Sequence, residues 1–326
     1  MVGIFRQKNS SNVLFLLVYA LVLKFNLFLN PVGPLKQEED NYLYNGLLNF
    51  LEPLHFPPIV YSLLSFALLF SQASLFNRIC NTQKMLPKSN YLPAMSYLLI
   101  TSLMPGWNQF SAPLIINSLL IWIFYRMVLL YNTQKGAAAI FNIGVLMGIA
   151  TLFYQPAVVF ILLIFFALYI MRPFIIREWL IGLLGVTTPY YFLAILLYLS
   201  NQWSWQKVIP SIEISLPAMP SSVFITISIG LIVLTFIIGG FYAQNNLSKM
   251  LIQVRKNWSL LLLFLIISTL ITLVNGGNNY VNWLLCAVPL SAFHAAAWYY
   301  PNNRVFPMVL HWNLFAYAVY INYWVY

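Results

Sequence analysis

Four of the chain's six carboxylates fall within sixteen residues: Glu38, Glu39, Asp40 and Glu52, in the stretch QEEDNYLYNGLLNFLE from Gln37 to Glu52. A carboxylate at a water boundary can take a proton from an acceptor hydroxyl, the step that glycosyl transfer needs. Asp40 is the leading candidate base and Glu39 the second. Glu38, Glu52 and His55 are candidate substrate contacts or metal ligands. Three adjacent acids do not have ligand spacing on a helix, so the cofactor is left unassigned, with a divalent cation open. The same acids have a structural reading, because carboxylates ahead of a helix cap its free N–H groups and complement its dipole.

The remaining ionisable groups offer less. Lys24 lies inside an apolar run, where it either snorkels to the interface or faces the interior. His294 and His311 sit in late apolar segments and fit hydrogen bonds between helices better than a proton relay. The apolar runs contain no Asp, and Glu178 stands at the end of one, which argues against an ion-coupled transporter. No P-loop, dinucleotide fingerprint, HExxH or GxSxG motif is present. The basic segment Asn77 to Lys88 reads as a loop that sets topology, or as a contact for an anionic headgroup. The uncharged segment Asn275 to Tyr280 reads as a turn whose amides could meet a sugar.

The elements that must position these groups follow from composition. Of 326 residues, 61% are hydrophobic and only 7% charged, against about a quarter charged in soluble domains. That excludes a soluble protein and predicts an all-α, polytopic transmembrane bundle forming one domain over 1–326. The net charge of +10 is spread singly between apolar runs, so nucleic acid is not a partner. Runs of about 20 apolar residues cross a bilayer. Breaks at polar and Pro/Gly clusters give about eleven spans: 12–30, 58–76, 91–105, 112–131, 137–154, 156–171, 178–200, 221–242, 257–274, 281–299 and 306–325. The third and fourth make a tight hairpin through Pro105 to Asn108. The first has no cleavage site and remains in place.

With a cytoplasmic N-terminus, thirteen of the sixteen Lys and Arg residues fall inside, and Lys36 and Lys207 fall outside. The C-terminus is then periplasmic. Trp179, Trp203, Trp205, Trp258, Trp298 and Trp324 lie near span ends, as an aromatic belt does. Cys80 and Cys286 are expected in a loop and a span, without a disulfide. Two amphipathic surface helices are expected. One covers 41–54, with Leu43, Leu47, Phe50, Leu51 and Leu54 on its apolar face. The other covers 244–256, on the cytoplasmic leaflet.

With Asp40-Asn41-Tyr42 and the helix to Leu54 following a first span, the layout resembles the GT-C class of membrane glycosyltransferases. The stretch from Gly144 through Gly148 and Ala150 to Pro156 is similar to that class's GxxxGxAxxxxxP junction. The resemblance covers about residues 1–200, with additional C-terminal spans over about 221–326. It implies a transferase that uses a polyprenyl-phosphate-linked sugar, with Asp40 as base and Lys36 near the phosphate. Only Lys36 and Lys207 stand outside to hold a phosphate, and the one acid on a later outer loop is Glu213. The alternative is a non-catalytic subunit or scaffold of an envelope complex for secretion, gliding or translocation, with other membrane proteins as partners. The whole chain also resembles an uncharacterised multi-span inner membrane family of Bacteroidota. That resemblance is carried by Asn77 to Asn108, with NYLPAMSYLLITSLMPGWN, and by Gly185 to Tyr191. It implies a bacterial inner membrane location and no known activity.

Overall fold

The computed structural model describes residues 2–7, 9, 11–131, 133, 136–205, 222–272, 280–303 and 305–325. Lys8, Lys135, Lys207, Glu213, Arg304 and the turn residues 275–279 lie outside the described residues. Those described are helical, with no strand among them.

A short α1 (Val2–Phe5) leads into α2 (Asn12–Lys24) and α3 (Asn26–Leu29). The expected first span therefore breaks at Phe25. An extended strap follows, then α4 (Tyr42–Leu51) and α5 (Pro58–Thr82), then α6 (Leu92–Leu103) and α7 (Ala112–Val128). Next come α8 (Ala137–Phe153), a 3-10 turn Gln155–Phe160 continuing into α9 (Ile161–Met171), and α10 (Ile176–Leu199). After the undescribed stretch come α11 (Val223–Leu247), α12 (Ile252–Ile271), α13 (Ala287–Tyr299) and α14 (Val305–Tyr320). Among the described residues, five segments are long and apolar enough to cross a membrane: α5, α10, α11, α12 and the 20-residue helical run Tyr280–Tyr299 that ends in α13. The apolar helices α2, α6, α7 and α8 and the run Gln155–Met171 are shorter.

The buried heart is α6, every residue of which is buried, against α5, α13, α14 and α2. Pro105–Asn108 links α6 to α7 as a 3-10 turn, but the principal neighbours of α7 are α5 and α8. The most extensive seam joins α8 to α10. A Cβ on Gly144 would run into the Gly182 carbonyl, and one on Gly185 into the Phe141 carbonyl. Small residues let helix backbones approach this closely, which is how apolar helices gain packing when lipid is as apolar as their own side chains.

Several expectations change. No separate helix covers 244–256: α11 runs to Leu247, a turn occupies 248–251 and α12 begins at Ile252. The amphipathic pattern belongs to two helix ends, with Leu247 and Met250 tucked against the core. Cys80 is not in a loop but in the last turns of α5; it and Cys286, at the end of the 3-10 segment Tyr280–Cys286, are buried and free. Trp258 and Trp298 are not belt residues: they are 3% and 0% exposed, and the Trp258 indole N–H donates to the Met85 carbonyl at 3.1 Å. Trp203, Trp205 and Trp324 are exposed. Glu178 is held by Arg172 through two 2.6 Å bonds, the one ion pair among the described residues.

Candidate functional site: the carboxylate strap

The strap from Asn30 to Asn41 is tied down by backbone groups at two places. The Leu35 N–H donates to the Phe110 carbonyl at 2.8 Å, ahead of α7. The Asn41 N–H donates to the Phe153 carbonyl and the Gln155 N–H to the Glu39 carbonyl, each at 3.1 Å. These two bonds form an antiparallel bridge between Asp40 and Tyr154 at the junction of α8 with the following 3-10 turn.

Asn41 then starts α4. Its side-chain oxygen accepts the Tyr42 N–H at 2.8 Å, and its Nδ2 reaches the Thr151 carbonyl at 2.8 Å. The Thr151 hydroxyl also accepts the Tyr190 hydroxyl at 2.7 Å, bringing α10 to the same place. The helix buries Tyr44 and Leu48; of the expected stripe, Leu43, Leu47 and Leu51 are half-buried against the core, while Phe50 and Leu54 are exposed. Tyr44 can be buried because its hydroxyl donates to the carbonyls of Leu35 (2.8 Å) and Phe110 (3.3 Å).

Within this frame Asp40 is 7% exposed. Its Oδ2 accepts the Gln37 N–H at 2.7 Å, while its Oδ1 is buried with no hydrogen-bond partner in the protein. The Tyr154 hydroxyl and both amide atoms of Gln37 are also buried and unpartnered. Loss of water around the carboxyl is the main reason its pKa is pushed up to about 7; the Gln37 N–H opposes the rise, and the Glu39 charge adds to it. Glu39 is raised too, by partial burial and by Glu38. A carboxyl poised near neutrality, with one free oxygen beside a phenol and an amide, can exchange a proton with a bound hydroxyl. Asp40 Oδ1 and Gln37 Oε1 are buried oxygens without a partner, and no group of three or more His, Cys, Asp or Glu is assembled among the described residues.

The expected site residues divide. Asp40 and Glu39 lie at the bridge. Lys36 and Glu38 are exposed on the strap. Glu52 and His55 are exposed beyond the far end of α4, about 15 Å along a ten-residue helix. Sequence reasoning missed Gln37, Tyr154, Thr151 and Tyr190. The only signal was the aromatic-amide pair Tyr154-Gln155 ahead of Pro156.

Lys24 is resolved in favour of the interior. It is 1% exposed and donates to Thr101 Oγ1 at 2.9 Å and to Asn108 Oδ1 at 2.6 Å. His294 bonds across helices to the Ile232 carbonyl at 3.0 Å, as expected. His311 instead packs among the rings of Tyr19, Trp298 and Phe315.

Residues 46–322 match DUF6427, described as a family of unknown function. The chain belongs to the DUF6427 family. The match takes in the bundle from within α4 to the last turn, and begins beyond Asp40. No curated protein and no solved structure matches.

Proposed function

We propose that this DUF6427 protein is a GT-C-like transferase of the bacterial inner membrane. In this reading about eleven spans cross the bilayer, the N-terminus is cytoplasmic, and the strap and the C-terminus are periplasmic. Asp40 takes the proton from an acceptor hydroxyl as a sugar leaves its polyprenyl-phosphate carrier. The observation that carries the reading is the Asp40 carboxyl itself: buried, held near neutrality and left with one free oxygen. A general base works best when its pKa lies near the working pH. Tyr154 and Gln37 orient the acceptor, Glu39 tunes Asp40, and Lys36 meets the phosphate from the exposed side.

The test is transfer of labelled sugar from a polyprenyl-phosphate donor in membranes carrying the protein, together with surface glycans in cells lacking it. Asp40→Asn and Glu39→Gln are expected to fail in both assays. Full rescue of surface glycans by both variants sinks the proposal.

A specific observation favours a second reading, a non-catalytic subunit. No cation stands against Asp40 among the described residues, and its Oδ2 is spent on holding the strap. Purification in mild detergent separates the two. A stoichiometric partner supports the subunit, and a lone chain carrying polyprenyl lipid supports the transferase.

A further inference from the structure

At the end of the bundle away from the strap, two grooves flank one basic residue. The first lies between α5 and α7, encloses about 260 Å³ and is lined by Leu75, Ile121, Trp122 and Tyr125. The second lies between α2 and α5, encloses about 350 Å³ and is lined by Val13, Leu16 and Tyr91 together with the polar Ser74, Asn77 and Asn81. Arg78 and Thr82 belong to both. They stand four residues apart on α5, one turn above the other, and form the ridge between the grooves. Arg78 is exposed and has no carboxylate partner among the described residues. Asn77 Oδ1, beside it, is buried without a hydrogen-bond partner.

We infer that Arg78 and the two grooves beside it form a site for one anionic diacyl phospholipid, with the phosphate on Arg78 and one acyl chain in each groove. The ligand class follows from the arrangement. One cation placed between two grooves whose exposed walls are largely apolar matches one phosphate joined to two chains. Guanidinium binds phosphate through paired N–H groups. The depth also fits, because Arg78 is one turn from the end of a helix long enough to span a bilayer, which is headgroup level. Asn77 Oδ1 accepts a headgroup hydroxyl, which phosphatidylglycerol supplies. The inference rests on the membrane placement proposed above and is independent of the transferase reading.

The test uses the full chain in nanodiscs of phosphatidylcholine alone or of phosphatidylcholine mixed with phosphatidylglycerol, read by unfolding temperature and by lipid retained in native mass spectrometry. Phosphatidylglycerol is expected to raise the unfolding temperature and to be retained one per chain. Arg78→Ala should lower the apparent affinity for phosphatidylglycerol by about tenfold or more and leave the behaviour in phosphatidylcholine unchanged. Leu75→Trp, which fills one groove without touching the charge, should also weaken retention. Equal stability in the two lipid mixtures overturns the inference. So does an equal loss in both for Arg78→Ala, which is what a cation serving only the helix dipole would give. Stabilisation by inorganic phosphate in pure phosphatidylcholine nanodiscs overturns the lipid assignment.

Discussion

Lys24 and Asp40 are two buried side chains that can carry a charge, and their surroundings are opposite. Lys24 is enclosed by acceptors, with the Thr101 hydroxyl and the Asn108 amide oxygen on its ammonium. Asp40 has one backbone donor, a free oxygen and a second acid as its sequence neighbour. A buried polar group that is satisfied stabilises a particular packing. One left half-satisfied is poised to bind or to react. The contrast fits a structural role for Lys24, which the sequence left between snorkelling and the interior, and it supports the chemistry proposed for Asp40, which the sequence offered as a candidate base.

The contrast can be broken most sharply at Asp40. Asp40→Asn preserves shape and can still accept the Gln37 N–H, so it should lower sugar transfer by about a hundredfold to ten-thousandfold while leaving the unfolding temperature nearly unchanged. A large loss of stability with little loss of transfer would reverse the two assignments. Lys24→Met should do the opposite. It strands the Asn108 oxygen and should lower stability by about 1–3 kcal/mol in detergent unfolding, with transfer per folded molecule retained.

A smaller effect is expected from pH. The folded pKa of Asp40 lies above the ordinary carboxylate value, at about 7. Its proton therefore helps hold the strap fully below the ordinary carboxylate range, and that help is lost as pH rises through about 7. Exchange of the Asn41 and Gln155 amides, corrected for intrinsic rate, should quicken across that interval, while transfer, which needs the ionised form, should increase. The smallest effect should come from Tyr154→Phe, which removes an unpartnered hydroxyl. Because no hydrogen bond is lost, stability should move by about 1 kcal/mol or less, and the measurement that matters is the acceptor KM in the transfer assay, which should rise.

Much of the helical layout was legible because long apolar runs leave the backbone little choice but to pair within itself. Asp40 was legible as a candidate because acids are so scarce in this chain. Its partners were not. Tyr154 meets Asp40 through main-chain bonds across more than a hundred residues, and such pairing leaves no side-chain pattern to read. The face of α4 was legible only in part, with Leu43, Leu47 and Leu51 packed as expected but Tyr44 unforeseen, because tyrosine is apolar along its ring and polar at its tip. Only the carbonyls of Leu35 and Phe110 decide that Tyr44 goes inward. The 244–256 pattern was misread for a related reason. Two helix ends meeting at a turn mix polar and apolar residues much as one surface helix does, and the backbone break at 248–251 has no proline and no glycine to announce it. Trp258 shows the same ambiguity, since an indole near a helix end can meet headgroups or turn inward once its N–H finds the Met85 carbonyl.

The glycine seam between α8 and α10 has a consequence beyond packing. Gly144 lies on the same helix as Thr151 and shortly ahead of Tyr154, and these are the groups that hold Asn41 and Asp40 in register. The strap therefore takes its coordinates from a contact about two helical turns away. A side chain wedged at Gly144 would act as a shim, resetting the distance between Asp40 and anything bound beside it while leaving every residue of the site intact. The strap end of the chain would lose its calibration before it lost any of its parts.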